Sequence, residues 1–138
     1  MWSLPTFSNR YGLWLTVALA AILVGALGIE ITSSQRQRWE VARVLSHGDS
    51  TVAPAIMRRY GCAGCHTIPS VPGAEGKVGG PLVDIRERVY IAGVANNTAD
   101  NLVRWIVSPQ SLSPHSAMPA TGISEAEARD VAAYLYAH

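Results

Sequence analysis

Two thiols and an imidazole stand within five residues at Cys62-Ala63-Gly64-Cys65-His66, and these are the only cysteines of the 138-residue chain. Thiols spaced C-x-x-C do one of three things. They cycle between dithiol and disulfide, they form half of a tetrahedral zinc site, or, followed directly by His, they join the two vinyl groups of a haem through thioethers. A zinc ribbon needs a second C-x-x-C, which is absent. A two-histidine completion would have to use His66 with His47, His115 or His138, at irregular spacings. A redox dithiol would sit in a βαβ pattern, whereas this motif lies in a Gly- and Pro-punctuated region between helical segments. The spacing therefore points to covalent haem, with Cys62 and Cys65 one helical turn apart as thioether donors. His66 is then carried under the ring, where its imidazole ligates the iron.

A ligand from the other side of such a ring must come from elsewhere in the chain. Met118, in Ala117-Met118-Pro119-Ala120, lies among loop residues just before the last helical segment. Its soft thioether would raise the potential and close the iron to exogenous ligands. His115, three residues earlier, is the rival, and a bis-His iron would have a lower potential. Met57 is too close to the motif and falls on a helix face where core packing is its natural role.

The elements that must position these residues are helical. Val52 to the motif reads as a helix, with Pro54 tolerated in its first turn and Ile56, Met57 and Tyr60 on one face. A second helix starts at Thr98, a good N-cap with Asp100 in its first turn, and carries Leu102, Val103, Trp105 and Ile106 until Pro109 stops it. A third opens on the capping box Ser124-x-x-Glu127, with Ala128, Val131, Ala132 and Leu135 on one side and Tyr134 beside them. No alternating strand appears. A mostly α domain of about 90 residues has a small apolar core, so a buried haem would be structural as well as functional and would order the long loops.

Upstream, residues 11–31 (YGLWLTVALAAILVGALGIEI) carry no ionisable side chain before Glu30. About 20 such residues make a helix of about 30 Å, enough to cross a bilayer's hydrocarbon core. A cleaved signal peptide fits less well, because the cleavage-like tripeptide Ala18-Leu19-Ala20 falls inside the apolar run and the run is longer than the usual h-region. Residues 1–10 form a short N-terminal segment on the cytoplasmic side. Residues 32–49 form a juxtamembrane helical linker, in which Trp39 marks either the interfacial belt or a contact with a neighbouring subunit, and residues 50–138 form the globular domain. Ala18, Ala21, Gly25 and Gly28 give the membrane helix a face of small residues that suits close approach of another helix. Arg36, Arg38 and Arg43 follow the span and by the positive-inside count favour a cytoplasmic globular domain. Thioether assembly on the outer, oxidising face of a bacterial membrane argues the opposite, and we give the chemistry precedence. Eleven Lys and Arg against ten Asp and Glu give a net charge of +1, and nothing in that balance suggests nucleic acid.

The order Tyr60-Gly61, CAGCHTIP, VGGPL, NLVRWI, AMPATGIS and DVAAYL resembles a class I cytochrome c domain over about residues 50–137. Among class I domains it is most similar to the membrane-bound forms associated with haem–copper oxidases and other respiratory complexes. The resemblance implies one covalent haem c, Cys62 and Cys65 as its thioether donors, and His66 and Met118 as axial iron ligands. It also implies that the Pro81 carbonyl accepts a hydrogen bond from His66 Nδ1, and that Tyr134 packs where the first and last helices cross. Trp105, Arg88 and Tyr90 are candidates for the haem edge or propionates. The expected function is one-electron transfer without bond chemistry, as a membrane-bound subunit of a respiratory oxidoreductase complex meeting redox partner proteins. The alternatives are a tethered shuttle between a quinol-oxidising complex and a terminal oxidase, and a haem enzyme or sensor with an open iron. The expected place is the inner (plasma) membrane, single-pass, with the haem domain on the periplasmic side.

Overall fold

A computed structural model describes residues 9–138; the expected cytoplasmic segment 1–10 lies almost wholly outside them. Helix α1 runs Asn9–Ser46, α2 Ala53–Arg59, α3 Cys62–Cys65, α4 Ala99–Val107 and α5 Glu125–Ala137. A two-stranded antiparallel ladder pairs β1 (Tyr90–Ile91) with β2 (Ala95–Asn96). The chain divides into two compact units, Met1–Arg36 and Gln37–His138, so residues 37–49 fall with the second unit.

In the first unit α1 is one helix long and apolar enough to cross a membrane. Leu19, Ile22, Leu23, Val24 and Leu27 are each between 60 and 72 % exposed. Such a surface is costly in water and at no cost in hydrocarbon. Thr16 and Thr32 turn their hydroxyls onto the carbonyls of Leu13 and Ile29, which satisfies these polar groups within the helix.

The second unit is built on α5, which packs against both α2 and α4. Ala128, Val131, Ala132 and Leu135 are buried as their spacing required, together with Ile56 and Met57 of α2 and Leu102, Val103 and Ile106 of α4. Both N-caps read in the sequence are present. Thr98 accepts from Asn101 N–H, and Ser124 and Glu127 form a reciprocal capping box. The ladder was not foreseen. Two residues a side are too few for alternation to show, and what makes it is the turn, where Ala92 (φ 48°) and Gly93 (φ 74°) both adopt the left-handed region.

The last turns of α1 belong to this core. Ala42 and Ser46 are buried, Arg129 Nη1 donates to the Ser46 carbonyl at 3.4 Å, and Asp130 accepts from Asp49 N–H at 2.7 Å. Trp39, expected at a membrane interface or on another subunit, sets its ring edge-on to Tyr134 (6.3 Å) and His138 (4.7 Å). Tyr134 in turn stacks on His138 at 4.0 Å and donates its hydroxyl to the Pro69 carbonyl at 2.7 Å.

One carboxylate fastens α2 to α5. Glu127 accepts from Tyr60 Oη (2.9 Å), Arg59 Nη1 (2.9 Å) and Ser124 Oγ (2.7 Å). The Ser124 hydroxyl first, and then the Tyr60 hydroxyl, hold the Glu127 carboxyl below its ordinary value of 4.5. A depressed folded value means that the ionised carboxylate stabilises fully above the ordinary glutamate range and loses this effect as pH falls through the lower folded value. Glu127→Gln is therefore expected to lower the melting temperature by several degrees near pH 7 and by much less at a pH below the folded value, where the native carboxyl is also protonated. Thermal melts at the two pH values check this, and an equal loss at both would remove ionisation as the cause.

Candidate functional site

Between α2, α4, α5 and the loops lies an apolar cavity of about 290 Å³. Met57, Leu102, Ile106, Val131 and Leu135 form its floor, and Cys62, His66 and Met118 open onto it from loop and motif segments far apart in sequence. The structure thus brings three of the five expected site residues to one cavity. Cys65 lies half-buried on the same helical turn as Cys62. Pro81 is not in the lining, although its neighbours Gly80 and Leu82 are. His115, the rival ligand, is exposed and outside the lining.

The motif helix α3 starts from Gly61 in the left-handed region (φ 74°) and ends at His66, whose extended backbone (φ −113°, ψ 143°) turns the imidazole away from the helix. No disulfide joins Cys62 and Cys65, and burial pushes the Cys62 thiol up from its ordinary value. Cys62 thus faces an apolar space. A zinc site would need at least one more donor nearby, and no group of three or more His, Cys, Asp or Glu side chains able to hold a metal ion exists among the described residues.

A strap of backbone then wraps the motif. Gly79 N–H donates to the Cys65 carbonyl at 2.8 Å, Leu82 N–H to the Thr67 carbonyl at 2.8 Å and Ile68 N–H to the Ala74 carbonyl at 3.0 Å. Thr67 Oγ1 donates to the Gly76 carbonyl at 3.0 Å. A Cβ at Gly76 would meet the Cys65 and His66 backbone, and one at Gly79 would overlap the His66 imidazole itself. Only glycine lets the strap lie this close. Sequence reasoning missed both positions, though the run Gly76-Lys77-Val78-Gly79-Gly80 just after the motif was a signal.

The ring is oriented by Gly80, not by Pro81 as expected. His66 Nδ1 lies 2.6 Å from the Gly80 carbonyl. The Pro81 carbonyl is taken by Arg88 Nη2, which also donates to the Val83 carbonyl at 3.0 Å. The two carbonyls on either side of the Gly80–Pro81 bond point different ways, so one faces the imidazole and the other the guanidinium. Arg88, Tyr90 and Trp105, the candidates for the haem edge, all line the cavity, and Arg88 additionally fastens the strap. Asn97, which the sequence did not flag, secures the same wall: its Nδ2 donates to the carbonyls of Ile85 (2.6 Å) and Arg88 (2.7 Å), and its Oδ1 accepts from Tyr136 Oη (2.8 Å). Burial pushes the Tyr136 hydroxyl up to about 12, so it remains a donor.

This cavity fits a flat, largely apolar ring with iron at its centre. It has an imidazole and a thioether on its lining, a thiol at its edge, aliphatic walls, and a glycine where any side chain would strike the imidazole. Residues 53–137 match the family described as Cytochrome c. A cytochrome c oxidase subunit 2 from Alkalihalophilus pseudofirmus is 37 % identical over 82 residues, 58 % of this chain and 23 % of that protein. The match thus spans less than a quarter of that relative's length. No solved structure matches the chain. With the motif, the cavity and the family match over most of the second unit in agreement, the chain belongs to the cytochrome c family, whose domain carries haem c covalently bound.

Proposed function

We propose that this chain transfers single electrons as a membrane-anchored subunit of a respiratory oxidoreductase complex, with Cys62 and Cys65 as thioether donors and His66 and Met118 as axial ligands. Haem bound there supplies a ferric/ferrous couple. His66 offers Nε2 to the cavity while the Gly80 carbonyl, 2.6 Å from Nδ1, holds the tautomer and the ring plane. Met118 offers a neutral sulfur, so neither ligand changes protonation when an electron arrives. The aliphatic lining excludes water. The observation that carries the reading is that His66 and Met118, from segments 52 residues apart by their numbering, line one apolar cavity.

The subunit reading draws on the oxidase subunit 2 relative and on the burial of Ala42 and Ser46, which makes residues 37–46 part of the folded unit rather than a free linker. Helix α1 supplies the anchor, in the inner (plasma) membrane. The second unit lies on the outer face, because thioether attachment requires that compartment.

The test is a mild-detergent purification of the native chain and of Met118→Ala. The native ferric protein is expected to show the far-red band of methionine ligation, to bind carbon monoxide slowly when reduced, and to co-purify with an oxidase or dehydrogenase. Met118→Ala is expected to lose the band and bind carbon monoxide promptly. An unchanged spectrum in Met118→Ala would move the ligand to His115, and a chain purified without any oxidoreductase would favour the tethered shuttle.

A further inference from the structure

We propose that Gln110 is the positioning residue that keeps the Met118 sulfur in place, by fixing the backbone of the loop that carries it. The inference rests on Met118 as axial ligand. Gln110 sits in a 3-10 turn, Pro109–Ser111, directly after α4. The turn is rigid: Pro109 is buried, and Leu112 N–H and Ser113 N–H both donate to its carbonyl, at 3.1 and 2.9 Å. From this base the half-buried Gln110 side chain reaches across the loop. Its Nε2 donates to the Met118 carbonyl at 2.7 Å and to the Ser116 carbonyl at 3.4 Å. Ser116 Oγ accepts from Met118 N–H at 3.2 Å.

Both backbone polar groups of Met118 are therefore held by side chains. Neither belongs to a helix or strand, and no backbone–backbone hydrogen bond holds residues 117–123 among the described residues. A loop without a ladder has high conformational freedom. A thioether is a weak, neutral ligand whose retention depends on its being already in position when the iron is open to competitors. Gln110 supplies that pre-organisation from a rigid neighbour. It is not among the residues that line the cavity, so its effect on the iron passes through the loop segment from Ser116 to Met118 that it holds. His115 rides on the same loop, exposed, and is the side chain freed to compete when the loop loosens.

The experiment is an imidazole titration of the full-length ferric holoprotein in detergent, with the far-red band followed against temperature. Gln110→Glu keeps size and shape but presents a carboxylate, which cannot donate, to two carbonyls; Gln110→Ala removes the group. Each is expected to raise the apparent imidazole affinity about tenfold, the effect of losing one hydrogen bond to a half-buried carbonyl, and to lose the far-red band at lower temperature. Ser111→Ala removes a bond within the same turn, Ser111 Oγ to the Ser108 carbonyl at 2.7 Å, and is expected to change neither reading. Unchanged imidazole affinity in the two Gln110 variants, or an equal change in Ser111→Ala, would overturn the proposal. If Met118→Ala, run alongside, retains the far-red band, the ligand assignment itself fails and the proposal falls with it.

Discussion

Cys62→Ala/Cys65→Ala is expected to remove haem stain from the band on a denaturing gel and to leave little folded second unit. The size of the effect follows from the cavity. An unfilled apolar space of about 290 Å³, at about 24 cal/mol per Å³, costs at most about 7 kcal/mol. A domain of this length has a total stability of about 5–15 kcal/mol. The covalent group is thus comparable to the whole margin of stability, and it completes the core that α2, α4 and α5 share. Circular dichroism of the double variant should show a large loss of helix outside the anchor. Native helix content without bound haem would mean that the protein walls close the cavity unaided.

Gly79→Ala is expected to destabilise the domain and to disturb the site at the same time. Its Cβ would stand inside van der Waals contact with three atoms of the His66 ring, and the ring has no room to yield without leaving the Gly80 carbonyl. The Gly79 N–H is itself committed to the Cys65 carbonyl at 2.8 Å, so the strap is held from the motif side as well. Overpacking of this kind costs about 1–3 kcal/mol. With about 2 kcal/mol lost, the melting temperature should fall by about 10 °C in a domain of this size, with a shift of the ferric spectrum as the imidazole tilts. An unchanged melting temperature would show that the strap relaxes away from the ring.

The two glycines of the strap mark the limit of what the sequence showed. The motif, Met118 and the helices with their caps were readable because each is local: a spacing, a capping box, a period of apolar residues. Cys62, His66 and Met118 meet at the cavity as those signals required. The strap, the Asn97 hub and Gln110 were not readable, since each consists of hydrogen bonds between irregular segments, which leave no periodic trace. Pro81 is the instructive case. The segment Gly80-Pro81-Leu82 was rightly singled out, but which of two successive carbonyls meets His66 depends on a single peptide-plane rotation, and composition is silent on that. Trp39 shows another limit: an aromatic beside a membrane span has an obvious role at the interface, and its packing on Tyr134 and His138 depends on the far end of the chain.

That packing bears on where the protein can be cut. The family match begins at residue 53, and the apolar run ends at Ile31, so a water-soluble fragment would naturally be started near residue 50. Such a fragment would discard Trp39, Ala42 and Ser46, strip the cover from Tyr134, and leave Arg129 and Asp130 without the Ser46 carbonyl and the Asp49 amide. The smallest self-contained piece begins near Gln37, and the final ten residues of a helix that looks like a mere leash are a structural part of the domain it holds.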